Sequence, residues 1–165
     1  MIFSKGCEYG VRAMAYLAAR QSDDPCLVRD IAAQLNLPFS FLGKVVQMLR
    51  RSGLVNSYKG RRGGVSLARS ADDITLLDVV GAIDGLNLSC ACVLGPTNCS
   101  DDAPCPLHKY WTDIRERIVK MLTEQSLAEV ARGLDDDRSM PAEGGASAGR
   151  PDLLLVQELA RPDVG

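Results

Sequence analysis

Four of the chain's six cysteines and its only histidine fall in one stretch, CACVLGPTNCSDDAPCPLH, from Cys90 to His108. Thiolates are the ligands that hold iron–sulfur clusters and zinc, and imidazole can join them. Gly95, Pro96 and Pro104 let the backbone turn around such a centre. Cys105 and His108 are three residues apart at the expected start of a helix, so both side chains project to one side. Residue type alone leaves a metal, a redox role such as a disulfide between Cys99 and Cys105, and plain packing all open. The remaining pair, Cys7 and Cys26, are most simply small buried hydrophobes. A lone histidine without a Ser, Asp or Cys dyad argues against a hydrolase, so the expectation is a binding protein rather than an enzyme.

A second chemistry sits upstream. Net charge is −2 over the chain, but residues 1–80 carry 11 Lys+Arg against 7 Asp+Glu, and residues 81–165 carry 8 against 14. From Ser40 to Ser70 there are seven basic residues, Lys44, Arg50, Arg51, Lys59, Arg61, Arg62 and Arg69, and no acid. A one-sign block inside an acidic chain points to an anionic partner, and a solvated basic face is the alternative. An electron carrier would have no use for such a block.

The elements that must position these groups follow from periodicity. Residues 4–20 have apolar positions at helical spacing, and Asp23-Asp24-Pro25 ends that helix. LVRDIAAQL (27–35) is a short second helix, and Asn36-Leu37-Pro38 is a turn. Ser40 is positioned to cap a third helix that stops at Gly53. Its apolar face is Leu42, Val45, Val46 and Leu49, and its polar face is Ser40, Lys44, Gln47 and Arg51. Two β-prone runs, Leu54–Tyr58 and Val65–Ala68, flank KGRRGG, a hairpin tip with glycines for positive φ. Helix, helix, turn, helix, hairpin is a winged helix-turn-helix. Ser40, Phe41, Lys44 and Gln47 are then candidates for base edges or phosphates in the major groove of double-stranded DNA. Arg50, Arg51 and Lys59 are candidate phosphate clamps, and Arg61 and Arg62 at the wing tip suit a narrow minor groove. Gly43 allows the helix backbone a close approach.

TLLDVVGAID (75–84) adds a helix capped by Thr75 or Asp73. From about Pro104 a long helix follows, in which Leu107, Trp111, Ile114, Ile118 and Met121 form a heptad seam. The seam is expected to pair with a second copy; packing on its own core is the alternative. Ser126 and Glu129 form a capping box opening a last short helix. From Asp135 the acid-rich and Gly/Ala/Ser/Pro-rich sequence predicts disorder, and Leu153–Leu159 is a candidate docking segment without an identified partner. No apolar run is long enough to span a membrane, and charged Lys5, Glu8 and Arg12 break up the N-terminus as a secretory signal. A cytoplasmic protein with reduced thiols is the expectation.

FSKGCEYGVRAMAYLA, LVRDIAAQLNLPFSFLGKVVQMLRRSGLVNSYKGRRGGVSLAR and ITLLDVVGAIDG, in that order, resemble the bacterial iron–sulfur cluster regulators of the IscR, NsrR and RirA type, over roughly residues 1–134. The resemblance implies a homodimer whose long helices cross between subunits and whose winged domains bind a partly palindromic operator. It implies that Cys92, Cys99 and Cys105 hold the iron. The fourth ligand in the IscR type falls on His108; in other members it is an acidic residue of the partner chain, here at Glu8. Six residues separate Cys92 from Cys99, one more than is usual in the family, and Cys90 is the alternative first ligand. A 2Fe–2S cluster is favoured, with 4Fe–4S as the alternative. A structural zinc on the same Cys3His set, a thiol switch and a cluster-free repressor are the rival readings. In the iron–sulfur reading, a filled cluster would bias DNA binding in response to iron, redox state or nitric oxide.

The fold class expected is therefore mainly α with a small β-wing, a winged helix-turn-helix domain plus a long dimerisation helix. Its parts are a DNA-binding domain at 1–85, a cysteine-rich loop at 86–108, a dimerisation helix and short C-terminal helix within 104–134, and a tail at 135–165. Trp111, Ile114, Ile118 and Met121 are the expected dimer contacts.

Overall fold

A computed structural model describes residues 3–20, 24–60, 63–85, 91–92, 95–98 and 104–137. Helix α1 (Lys5–Ala19) starts at Ser4, whose hydroxyl accepts the Cys7 N–H at 3.0 Å. The Ser4 backbone N–H and hydroxyl both donate to the Asp84 carboxylate, which ties the start of α1 to the end of α4 (Leu76–Ile83). The two helices sit close because α1 carries Gly10, where a Cβ would run into the Ile83 side chain.

Helices α2 (Val28–Gln34) and α3 (Phe39–Arg51) end in the same way. After α2, Asn36 takes φ +51°, its N–H donates to Ala33 C=O at 3.3 Å, and the Leu37 N–H reaches Ala32 C=O at 2.8 Å. After α3, Gly53 takes φ +70°, its N–H donates to Arg50 C=O at 3.1 Å, and the Leu54 N–H reaches Leu49 C=O at 3.0 Å. Both are left-handed caps that satisfy the last carbonyls and turn the chain sharply. Arg12 of α1 adds a hydrogen bond at 3.0 Å to the Leu35 carbonyl, a cation at the C-terminal end of α2 where the helix dipole favours one. Pro38, not Ser40, stands at the N-cap of α3, and no side chain caps that end. The fixed φ of Pro38 (−64°) starts the helix at Phe39, so Ser40 falls in the first turn, exposed.

The wing is an antiparallel pair, β1 (Val55–Tyr58) and β2 (Gly64–Leu67), in register Val55↔Leu67 to Tyr58↔Gly64. It is anchored at its base. Cys26 and Val65 exchange backbone hydrogen bonds of 2.9 and 2.8 Å, and Gly64 (φ +146°) permits this approach because a Cβ there would lie 2.5 Å from the Cys26 carbonyl oxygen. A 3-10 turn (Ala71–Asp73) leads to α4, which opens on a capping box between Thr75 and Asp78. This settles the cap on Thr75.

Two further short strands, β3 (Ala91–Cys92) and β4 (Gly95–Asn98), pair antiparallel. Helix α5 runs His108–Glu124, four residues later than the expected start at Pro104. Pro106 disfavours helical geometry at Cys105, so the helix forms only beyond it. Helix α6 (Leu127–Asp137) opens on the expected capping box, with Ser126 N–H to Glu129 Oε2 at 2.8 Å and Glu129 N–H to Ser126 Oγ at 3.2 Å. Its backbone continues through Asp135–Asp137, past the expected boundary. Residues 138–165, including Leu153–Leu159, lie outside the described residues.

The main core joins Met14, Ile31, Leu42, Leu49, Leu54, Val65, Ile74 and Val79, and α6 contributes Leu127 and Ala131 to it. The last helix thus belongs to the winged domain's core, which the expected division at residue 85 did not anticipate. It is fixed there by backbone: the Leu127 N–H donates to Ile74 C=O at 2.7 Å and the Leu76 N–H to Gln125 C=O at 3.0 Å. A smaller cluster of Cys7, Val80 and Leu122, ringed by Phe3, Leu76 and Ile118, seats α5 on α1 and α4. No helix among the described residues is long and apolar enough to cross a membrane.

Candidate nucleic-acid interface and thiolate segment

Helix α3 buries Leu42, Val45, Val46 and Leu49 as the periodicity predicts, and so presents Ser40, Lys44, Gln47, Arg50 and Arg51 to solvent. With the caps on either side of it rigid, this face stands in one orientation relative to the wing. Lys59 is exposed at the wing, and the Gly63 N–H donates to Gly60 C=O at 2.9 Å to close the loop between the strands. A Cβ on Gly63 would stand 2.5 Å from the Tyr58 carbonyl oxygen, so the tip requires its glycine. Arg61 and Arg62 lie outside the described residues.

Two aromatic residues are exposed in the first turn of α3. Phe41 packs edge-on against Tyr9, with ring centroids 5.5 Å apart and planes at 85°. It is 39% exposed, whereas Phe39 at the first position of α3 is 59% exposed. Phe39 borders a shallow groove between α2, α3 and β1 that also receives Arg29, Ser57 and Tyr58. Sequence patterning missed this group because its members come from three elements; the Pro-Phe step at the start of α3 was the one local signal. The groove separates the outward face of α3 from the wing, with a guanidinium, a hydroxyl and a phenol along it. A guanidinium, a hydroxyl and a phenol are groups that can bind phosphate.

The cysteines divide into two classes. Cys7 and Cys26 are buried. Burial, with Asp84 nearby, pushes the Cys7 thiol up to about 11, and burial raises Cys26 as well. Both stay protonated and poor as ligands, as expected of small core hydrophobes. Cys105 is partly buried and precedes α5, and the His108 N–H donates to its carbonyl at 2.9 Å. A turn, rather than a helical repeat, therefore brings these two candidate ligands together. The Cys92 backbone lies in β3, opposite Gly95. Cys90 and Cys99 lie outside the described residues, and among the described residues no three His, Cys, Asp or Glu side chains are gathered as a metal site. The described end of the segment places a cysteine and a histidine one backbone turn apart, residue types that can ligate iron or zinc. Glu8, the alternative fourth ligand, is partly exposed in the first turn of α1 and pairs with Lys5 Nζ at 2.7 Å.

Helix α5 has two apolar faces. Leu122, 2% exposed, is the face seated on its own chain. Leu107, Ile114 and Met121, seven residues apart, are 42, 50 and 48% exposed, and Tyr110 stands beside them. Trp111 and Ile118, the alternate seam positions, are partly buried. Within one chain the seam is only half covered.

The family model described as Rrf2, an iron-dependent transcriptional regulator, matches residues 3–133. A putative HTH-type transcriptional regulator of Aquifex aeolicus is 38% identical over 120 residues, covering 72% of this chain and 83% of the relative. The HTH-type transcriptional regulator IscR of Xenorhabdus nematophila is 33% identical over 129 residues, covering 78% of this chain and 77% of the relative. Among solved structures, CymR, the global cysteine regulator of B. subtilis, superposes with a TM-score of 0.69 at 28% identity, over 79% of this chain and 96% of CymR. These relatives are named as regulators of transcription, a non-enzymatic role.

Proposed function

The chain belongs to the Rrf2 family of DNA-binding transcriptional regulators, and from that premise we propose that it acts as a homodimer whose hold on DNA is set by an iron–sulfur cluster. The observation that carries the DNA half is the acid-free, exposed face of α3 beside a base-anchored wing. Ser40, Lys44 and Gln47 meet base edges or phosphates in the major groove, Arg50, Arg51 and Lys59 grip phosphates, and Arg61 and Arg62 enter the minor groove. The half-covered seam of Leu107, Ile114 and Met121 supports pairing of two α5 helices, with Trp111 and Ile118 filling the alternate positions. The division of labour is a DNA-binding part built from residues up to about 85 with α6 packed into its core, a cysteine-rich segment at 86–108, and α5 as the dimerisation helix. A cytoplasmic location agrees with reduced thiols and a DNA target.

Cys92, Cys99, Cys105 and His108 would hold the cluster, 2Fe–2S in preference to 4Fe–4S, with Cys90 or the partner's Glu8 as substitute ligands. When bound, the cluster supplies a centre that changes charge or is lost in response to iron, oxidants or nitric oxide. The protein's own part is mechanical. Ordering Cys105 and His108 fixes the first turn of α5, and α5 rests through Leu122 on α1 and α4, the helices that back α3. A coupling of ~1–3 kcal/mol between that end of α5 and the set of the two winged domains suffices to switch occupancy of an operator.

The structural likeness to CymR favours a second reading on the same fold, a regulator without a cluster that responds through thiols. Protein purified without oxygen separates the two. The first reading expects a brown, bleachable visible chromophore lost in Cys99→Ala, and a different operator affinity before and after the cluster is stripped. Colourless protein, with or without one zinc per chain, would overturn it. So would equal affinity of the filled and stripped forms.

A further inference from the structure

Most glycines of the described fold have a visible reason. Gly10 makes room for Ile83, Gly53 and Gly60 take positive φ, and Gly63 and Gly64 accept close backbone neighbours. Gly43 has none within its own chain. It sits inside α3 without positive φ, and a Cβ there would meet nothing within 4 Å. Apart from proline, glycine is the least favourable residue at such a position. Gly43 lies three residues after Ser40 and four before Gln47, so on the helix surface it falls between these two exposed side chains and next to Lys44.

We propose that the missing side chain is filled by DNA: Gly43 sets how deeply α3 seats in the major groove. The inference rests on the reading of α3 as the DNA-facing helix. A serine hydroxyl is short, and Ser40 reaches a base edge only if the helix axis comes close. A methyl group or anything larger at 43 stands between Ser40 and Gln47 and holds the helix off. Bases are then read less well, whereas phosphate contacts made by flexible Lys and Arg side chains persist. Position 43 thus governs discrimination between sequences more than overall affinity for DNA.

Gly133 provides a control within the same chain. It is exposed on α6, its Cβ would also meet nothing within 4 Å, and α6 packs on α1 and the 3-10 turn, away from the outward face of α3. The probe is a duplex selected by the wild-type protein from a random-sequence pool, compared with a scrambled duplex of the same composition. Gly43→Ala and Gly133→Ala should each raise the unfolding midpoint by roughly 2–4 °C, because alanine favours helix. Only the Gly43 variants should lose affinity for the selected duplex, by about tenfold for Ala and more for Leu, the scale of one good base contact. Binding to the scrambled duplex should change little, since it depends on phosphates. If Gly43→Leu binds the selected duplex like wild type while Gln47→Ala loses affinity, the role of Gly43 is refuted and the helix assignment stands. If neither substitution matters, the helix assignment falls and the proposal with it.

Discussion

The winged domain and helix α5 obey different rules. In the winged domain the groups that need partners find them nearby: two left-handed caps finish α2 and α3, Cys26 and Val65 anchor the wing, and Leu42, Leu49 and Leu127 close the core. Helix α5 is finished on one side only. Leu122 is buried against α1 and α4, while Leu107, Ile114 and Met121 present about half their surface to solvent. The lesson is that one region is closed by the chain's own contacts, whereas the other leaves an apolar stripe exposed.

The contrast breaks most readily at α6, the element that lies far along the chain yet belongs to the self-contained region. Leu127 is wholly buried, so Leu127→Ala should cost about 2–5 kcal/mol of stability and lower the denaturant midpoint of the whole winged domain. A midpoint unchanged from wild type would detach α6 from that core. The seam offers the opposite case. Ile114→Asp puts a charge on a half-exposed position, so the folded monomer should change by no more than about 0.5 kcal/mol. The dimer should nevertheless dissociate in sedimentation at concentrations where wild type stays paired. Loss of helical circular dichroism in that variant would place Ile114 in the protein's own core instead.

The smallest effect concerns Cys7, at the junction of the two regions. Its thiol is held at about 11 against an ordinary 9.0, chiefly by burial. Between those values the unfolded chain gives up a proton that the folded chain retains, so stability falls as pH rises through the window. Below pH 9 the contribution is constant. A Cys7→Ala variant should lose stability less steeply from pH 9 to 11 in pH-dependent denaturation, and an identical slope would show that the thiol is not sequestered.

The same contrast accounts for what could be read in advance. The apolar face of α3, its stop at Gly53 and the hairpin with its glycines are local patterns of period and turn chemistry, and they stand as expected. Thr75 and Ser126 as caps were equally local. The misses arise where two signals compete or where distance matters. Ser40 has the right chemistry for a cap, but Pro38 already fixes the start of α3. Pro106 delays α5 to His108 despite the apolar spacing that begins earlier. Phe39, exposed beside Phe41, was passed over because the pattern began the helix at Ser40. No periodicity could reveal that Leu127 would hydrogen-bond to Ile74, because that contact is made by folding the intervening helix back.

That last contact has a further consequence. The start of α4 and the start of α6, with α4 and α5 between them in the chain, are stitched side by side by Leu76 with Gln125 and Ile74 with Leu127. This backbone clasp brackets α4 and α5. Loop closure costs only about 0.6 kcal/mol more for each doubling of length, so a longer connection from α4 to α5 weakens the clasp little. The winged core is thereby made independent of the length of chain that joins these two helices.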